Sequence, residues 1–151
     1  MSVVEQAERT YQILLVEDDL GDAGLVRIAL RRGHFAVVLH HVKNANEALA
    51  FLRRIGTDNA ASPRPDLILL DLNLPGRSGH EILQELKADP SLRAIPVVVL
   101  STSEAERDIA KAYQLGANSF VSKPMDVEDF TAAIHGVQDY WFRLVRLPGA
   151  S

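Results

Sequence analysis

The sequence predicts an α/β fold in which a five-stranded parallel sheet is doubly wound, with helices on both of its faces. Two observations indicate this fold class. Five short apolar segments alternate with five segments of helical periodicity, which is typical of parallel sheets with right-handed crossovers. The third and fourth apolar segments, at 67–70 and 97–100, lack a polar face, as buried parallel strands do. For five strands the common order is 2-1-3-4-5.

The composition is that of one globular domain. The chain has 151 residues, 47% of them hydrophobic and 24% charged, which suits a single sizeable core. A net charge of −4 does not favour a nucleic-acid surface. The absence of cysteine excludes disulfides, thiolate metal sites and cysteine nucleophiles. We find neither a signal-peptide pattern nor an apolar run long enough for a bilayer, so we expect a cytoplasmic location.

The first half of the chain predicts three strands and two helices. The strands are expected at 12–16, 36–42 and 66–70. The first helix runs from about Asp22 to Arg32, and Gly33 is a plausible stop. Asn44, with Glu47 three residues later, approximates the capping box that begins the second helix.

The second half predicts two more strands and three more helices. The strands are expected at 96–100 and 118–122, and the helices at 78–89, 103–116 and 126–144. Capping-box patterns begin the first two of these helices at Ser78 and Ser103. Asp126 precedes the last helix.

Polar residues follow four of the predicted strands. They are the acidic run Glu17-Asp18-Asp19, Asp71, Ser101 and Lys123. The carboxyl ends of parallel strands share one edge of a sheet, where such folds bind ligands. Carboxylates brought together repel one another, and Mg²⁺ would neutralise them. A nucleophilic carboxylate, a metal ion, a hydroxyl and a cation are the parts that phosphoryl transfer needs.

These segments resemble the receiver domain of two-component response regulators. The matching segments are 15–19, 70–76, 99–102 and 120–124, within about residues 12–135. The resemblance implies a flavodoxin-like fold in which Asp71 accepts a phosphoryl group from a sensor histidine kinase. It also implies that Glu17 and Asp18, with Asp71 and the backbone carbonyl of Asn73, hold Mg²⁺.

The resemblance assigns three further roles at the same edge. Ser101 and Lys123 would contact the phosphoryl group, and Phe120 would share the switch role with Ser101. The peptide bond before Pro124 is cis in this family. Asp19 is more simply interpreted as a residue that begins the first helix than as a metal ligand. The histidines have no metal-site spacing and are expected on the surface of strands and helices.

Other functions stay open at this point. A phosphorelay intermediate would use the same residues as a kinase-fed regulator. An aspartyl-phosphate hydrolase would also use Asp71, but such enzymes usually have an acid two residues later, and Asn73 occupies that position.

The ends of the chain predict how the domain is organised. We expect a flexible tail at 1–11, the receiver domain with an extended C-terminal helix at 12–145, and a second tail at 146–151, with no room for an output domain. The helix end, together with Asp18-Asp19 and the segment 28–33, resembles single-domain regulators paired with phytochrome-like kinases. The apolar residues of this helix end cannot all face their own sheet, which predicts a homodimer, with docking of the kinase or an effector as the alternative. The interface residues would be Tyr140, Trp141, Phe142, Leu144, Val145 and Leu147.

Overall fold

The computed structural model of the protein describes residues 9–54, 59–102 and 105–148. The strands are β1 (Thr10–Val16), β2 (Ala36–Val42), β3 (Leu67–Leu70), β4 (Val97–Ser101) and β5 (Ser119–Ser122). The helices are α1 (Leu20–Arg32), α2 (Ala45–Arg53), α3 (Gly79–Ala88), α4 (Glu106–Gln114) and α5 (Val127–Asp139). A π-helical turn, Tyr140–Leu144, continues α5.

The five strands form one parallel sheet in the order β2-β1-β3-β4-β5, which confirms the predicted order. Strand β3 is central and buried on both faces, as its unbroken apolar sequence predicts. Its register pairs Leu70 with Val16 of β1 and with Val99 of β4. The residues that follow these three positions therefore emerge side by side at the carboxyl edge of the sheet.

Each face of the sheet is covered by helices. On one face, residues such as Ile68 and Val99 pack against apolar side chains of α2 and α3, including Leu49 and Leu83. On the other face, β-strand residues pack against α1 and α5, including Val26 and Ile134. The sheet is therefore covered by α2 and α3 on one face and by α1 and α5 on the other, as in other doubly wound sheets.

Side-chain caps fix the starts of most helices. Asp19, Asn44, Ser78 and Asp126 each accept a hydrogen bond from a backbone N–H group in the first turn of the helix that follows. Helix α4 differs, since its N-cap is Ala105 and no side chain caps it. The cap predicted at Ser103 lies outside the described residues.

Two element boundaries differ from the predictions at the ends of the domain. Strand β1 takes in Thr10 and Tyr11, which the sequence assigned to the N-terminal tail, and residues 1–8 lie outside the described ranges. Leu147, assigned to the C-terminal tail, packs against the core.

The peptide bond between Lys123 and Pro124 is trans, as are all peptide bonds in the described part of the chain. The cis bond implied by the resemblance is thus a wrong expectation here, and trans is the lower-energy isomer.

The largest departure concerns the end of the last helix. At Tyr140 the chain leaves the α-helical spacing and forms the π-helical turn, which rotates the following side chains relative to those of a continuous α-helix. Phe142 is 2% exposed and stacks on Tyr11, with ring centroids 4.0 Å apart. The prediction that Phe142 lies in a dimer interface is therefore wrong, since this ring completes the core of its own chain. Tyr140 and Leu144, in contrast, are exposed, and their place in a dimer interface stays a prediction.

No helix in the described part of the chain is long and apolar enough to cross a membrane.

Candidate phosphoryl-acceptor site

The carboxyl edge of the sheet brings together the acids predicted from the sequence. Glu17 directly follows β1 and Asp71 directly follows β3, and the Asp71 N–H group donates to the carbonyl of Val16 (3.1 Å). Glu17 is 1% exposed and Asp71 is 6% exposed. Two carboxylates are therefore held almost without water at adjacent strand ends, which is costly unless cations neutralise them.

Lys123 is the cation that the fold supplies. Its backbone N–H group donates to the carbonyl of Ser101 (2.8 Å), which places the side chain beside β4. Its ammonium group donates to Asp71 Oδ2 (3.1 Å), to Asp22 Oδ2 (2.9 Å) and to Glu17 Oε1. An ammonium group has three donors, so carboxylates take up all of its hydrogen-bonding capacity.

The acids and the lysine shift one another's pKa values. Burial raises the pKa of Glu17 to about 7, and the nearby charge of Asp71 adds to the shift, although the hydrogen bond from Lys123 opposes it. Burial works to lower the pKa of Lys123, but the hydrogen bonds to Glu17 and Asp22 outweigh it and raise the pKa. The site therefore contains more negative charge than one lysine can neutralise.

The donor set fits a small divalent cation. One carboxylate oxygen from each of Glu17, Asp18 and Asp71 lies within 4.8 Å of the other two. The side chains of Glu17 and Asp71 are buried, whereas Asp18 is exposed at the rim, which leaves a side open to water and to phosphate oxygens. Hard oxygen ligands with room for water are what Mg²⁺ prefers, and Mn²⁺ accepts the same kind of ligand.

The remaining predicted residues lie around the acids. Asn73 is exposed, and its N–H group donates to Asp71 Oδ1 (3.1 Å), so the loop after β3 holds the carboxylate in place. Ser101 is fully buried at the end of β4, next to the strand that carries Asp71. Phe120 is half-buried against the core, and its N–H group donates to the hydroxyl of Tyr113 (3.0 Å).

Gly79 explains how helix α3 can begin so close to the acid. A Cβ atom at this position would lie 2.6 Å from the Cα atom of Leu72 and would also overlap the carbonyl of Asp71. The N–H group of Gly79 donates to the carbonyl of Leu72 (2.9 Å). A glycine is therefore required here for close approach rather than for backbone conformation.

Asp22 is the contact that sequence reasoning missed. We predicted it only as the start of the first helix, but its carboxylate bonds Lys123 across 101 positions of sequence. The available signal was its place in the first turn of α1, directly after the acidic run, because that turn begins at the same edge of the sheet. Asp19, in contrast, caps α1 through Asp22 N–H (3.0 Å), as the simpler interpretation predicted.

The histidines contact the protein rather than one another. His40 bonds the side chain of Gln12 (2.7 Å), and His41 bonds the backbone carbonyl of Glu17 (2.7 Å). Both are half-buried, so the expectation of simple surface residues was only partly right. His80 and His135 bond the backbone carbonyls of Asp108 and Ala29.

A parallel sheet with an acid cluster, a buried aspartate and a lysine at its carboxyl edge defines a class of protein, the aspartate phosphoacceptors of signalling pathways. The model of the response regulator receiver domain matches residues 13–135. The chain therefore belongs to the response regulator receiver domain family, and it is a two-component signalling protein of the type that works with sensor kinases.

Two response regulators are similar to this chain over nearly its whole length. The response regulator Rcp1 of Synechocystis sp. is 41% identical, over 91% of this chain and 93% of its own. The crystal structure of the Mn²⁺-bound form of Rcp1 superposes with a TM-score of 0.86 at 40% identity, and it covers 92% of this chain and 99% of that one. The phosphorylated cyanobacterial phytochrome response regulator RcpA has a TM-score of 0.87 at 41% identity, with 93% and 100% covered.

Proposed function

We propose that Asp71 accepts a phosphoryl group from the histidine of a sensor kinase. The observation that carries this proposal is the Lys123 ammonium group, 3.1 Å from Asp71 Oδ2, beside an acid cluster with metal-site geometry. A carboxylate can act as a nucleophile and form an acyl phosphate. The fold supplies the acceptor, the charge neutralisation and an open rim in one place.

The proposed transfer follows from these positions. An oxygen of the Asp71 carboxylate attacks the phosphorus atom of the phosphohistidine. The new O–P bond forms as the N–P bond breaks, and the electron pair of the broken bond stays on the ring nitrogen, which takes up a proton from water. Lys123, already hydrogen-bonded to Asp71, would pair with an oxygen of the new phosphoryl group, and Ser101 would contact another.

The metal ion of the proposed site is Mg²⁺, held by Glu17, Asp18, Asp71 and the backbone carbonyl of Asn73. When bound, it would neutralise charge on the phosphoryl oxygens during transfer. The contribution of the chain is to collect three carboxylates, so that a divalent cation is attracted there before the phosphoryl group arrives. The Mn²⁺-bound structure of Rcp1 supports a divalent-cation site in a close relative.

The proposed donor is a phytochrome-type photoreceptor kinase. This step rests on the likeness to RcpA, which is named as a phytochrome response regulator. The likeness extends over 93% of the chain, so it includes much more than the residues that all phosphoacceptors share. The cytoplasmic location remains a prediction.

A phosphotransfer assay tests the donor and the acceptor together. Histidine kinases that carry a labelled phosphoryl group, one of them a phytochrome-type kinase, would be mixed separately with the wild-type protein, with Asp71→Asn and with Asp129→Asn. Asp129 is an exposed acid of α5, so its variant controls for the loss of one charge. We expect rapid transfer from the phytochrome-type kinase to the wild type and to Asp129→Asn, and none to Asp71→Asn.

Two results would contradict different parts of the proposal. Labelling of Asp71→Asn at the wild-type rate would remove Asp71 as the acceptor. Equal transfer from every kinase tested, or faster transfer from a kinase of another type, would remove the photoreceptor assignment and leave the acceptor in place.

We also propose that the protein forms a homodimer through the residues of the C-terminal segment that remain accessible. Those residues are Tyr140, Trp141, Leu144, Val145 and Leu147. Leu144 is 74% exposed, and Tyr140 is 49% exposed, so the segment keeps an apolar surface after Phe142 is buried. Sedimentation should show a dimer in the wild type and a weaker dimer in the Leu144→Glu variant. The control is Ile28→Glu, at a half-exposed position of α1, which should leave the dimer unchanged. A monomeric wild type would contradict the proposal.

A further inference from the structure

A pocket lies at the opposite end of the sheet from Asp71. It has a volume of about 320 Å³ and is formed by the end of α2, the chain before β3 and the α3–β4 connection. Its lining residues are Leu52, Arg53, Arg54, Arg64, Pro65, Ser91, Leu92 and Ile95. This volume is at the lower end of the range for small-molecule sites. Of the residues that the structure describes, three arginines and no acid line it, in a protein of net charge −4.

Two of these arginines are fixed in place by backbone carbonyls and have no acid partner within the described part of the chain. Arg54 Nε donates to the carbonyl of Ser62 (2.9 Å), and Arg64 Nη1 donates to the carbonyl of Ser91 (2.6 Å). Neither forms an ion pair with an acid among residues 9–54, 59–102 and 105–148. Arg53 differs, since it pairs with Glu85 and Asp89. Two guanidinium groups therefore keep N–H donors for another partner, and guanidinium groups match phosphate and carboxylate in a bidentate way.

The backbone at Arg54 supports a role beyond folding. Arg54 is the C-cap of α2, with φ 56° and ψ 44°, in the left-handed region. Among the described residues other than glycine, no second one has a positive φ. Helices that end in this conformation usually place glycine there, because a Cβ atom is disfavoured. An arginine held in a strained conformation at the mouth of a pocket is a reason to look for a ligand.

The apolar part of the lining indicates what else the ligand carries. Leu92 and Ile95 are buried and form the floor, and Leu52 is half-buried beside them. An inorganic anion would contact only the guanidinium groups and would not use the apolar floor. A small organic molecule that carries an oxyanion would cover the floor with its body and present the charged group to Arg54 and Arg64.

We infer that this pocket binds a small organic phosphate, with the phosphate group between Arg54 and Arg64 and the organic part on the apolar floor. The site is separate from the phosphoryl-acceptor site, because Pro65 and Ile95 lie just before β3 and β4 whereas Asp71 follows β3. Binding there does not require Asp71, the acid cluster or a metal ion.

Calorimetric titration of the full chain with adenosine monophosphate and with inorganic phosphate tests the inference. We expect saturable binding of the nucleotide, at least tenfold tighter than binding of phosphate because the floor contributes. The double variant Arg54→Gln/Arg64→Gln should lose at least tenfold in nucleotide affinity. The matched control is Arg31→Gln/Arg32→Gln, an exposed arginine pair in the last turn of α1, which should bind as the wild type does.

Each alternative result has a definite meaning. No binding at millimolar nucleotide, or an equal loss in both double variants, would overturn the site, since the second result would reflect overall charge. Equal affinities for nucleotide and phosphate would overturn the organic ligand. Labelling of Asp71 by acetyl phosphate provides a check that the variants are folded, because that reaction occurs at the other end of the sheet.

Discussion

The two ends of strand β1 are built from opposite kinds of chemistry. At the carboxyl end, Glu17 is buried beside Asp71 and depends on Lys123 for neutralisation. At the amino end, Tyr11 stacks on Phe142, with rings 13° from parallel, and Phe35 meets both rings edge-on. Like charges held together favour the arrival of a cation, whereas an aromatic cluster favours only the folded state. The comparison indicates that stability is concentrated away from the site that must change partners.

The largest expected effect on stability is that of removing the Phe142 ring from the aromatic cluster. Phe142→Ala should lower the free energy of unfolding by about 3–4 kcal/mol, because the ring is almost fully buried and two aromatic contacts are lost. Urea denaturation measures this loss. Met125→Ala, at a fully exposed position outside the proposed dimer interface, is the control and should change stability by less than about 0.5 kcal/mol. Equal effects of the two variants would show that the aromatic cluster does not stabilise the fold.

The charged end should make stability depend on pH. Glu17 binds its proton more tightly in the folded state, with a pKa of about 7 against 4.5 when unfolded. Its contribution is therefore fully present below about pH 4.5 and is lost as the pH rises through 7. The raised pKa of Lys123 adds no slope in this range, because it keeps its proton in both states.

Without divalent ions, the wild type should lose on the order of 2 kcal/mol of stability between pH 5 and pH 8 relative to Glu17→Gln. Added Mg²⁺ should reduce the difference, since it binds the ionised carboxylates. Denaturation at several pH values, with and without chelator, measures both effects. If the stability of the two proteins changed with pH in parallel, burial and Asp71 would not raise the pKa of Glu17.

A pair of glycine substitutions separates close packing from backbone freedom. Gly79→Ala should cost about 1–3 kcal/mol and slow labelling of Asp71, because its methyl group meets the chain at Asp71 and Leu72. Gly136→Ala should instead stabilise by about 0.5–1 kcal/mol, since it lies inside α5 with nothing within 4 Å. Thermal unfolding and acetyl phosphate labelling report the two effects. A neutral Gly79→Ala would show that α3 can move away from the acid.

The sequence predicted the charged end much better than the aromatic end. Strand ends, caps and the order of the sheet follow from local patterns, so Glu17, Asp71 and Lys123 could be placed before any coordinates. The π-helical turn could not be predicted, because the apolar residues around Phe142 also fit a continuous α-helix, and only contact with Tyr11, 131 positions away, selects the other spacing. The contact of Asp22 with Lys123, 101 positions away, is likewise set by the tertiary structure rather than by local pattern.

The most direct test of the central claim is to locate the phosphoryl group itself. The wild-type protein would be treated with acetyl phosphate and Mg²⁺, digested, and mapped by mass spectrometry after trapping of the acyl phosphate. We predict one modified peptide, containing Asp71, which disappears when Mg²⁺ is chelated and in the Asp71→Asn variant. A phosphoryl group on any other residue of the wild type, or equal modification in chelator, would contradict the assignment of this edge of the sheet as a metal-assisted phosphoacceptor.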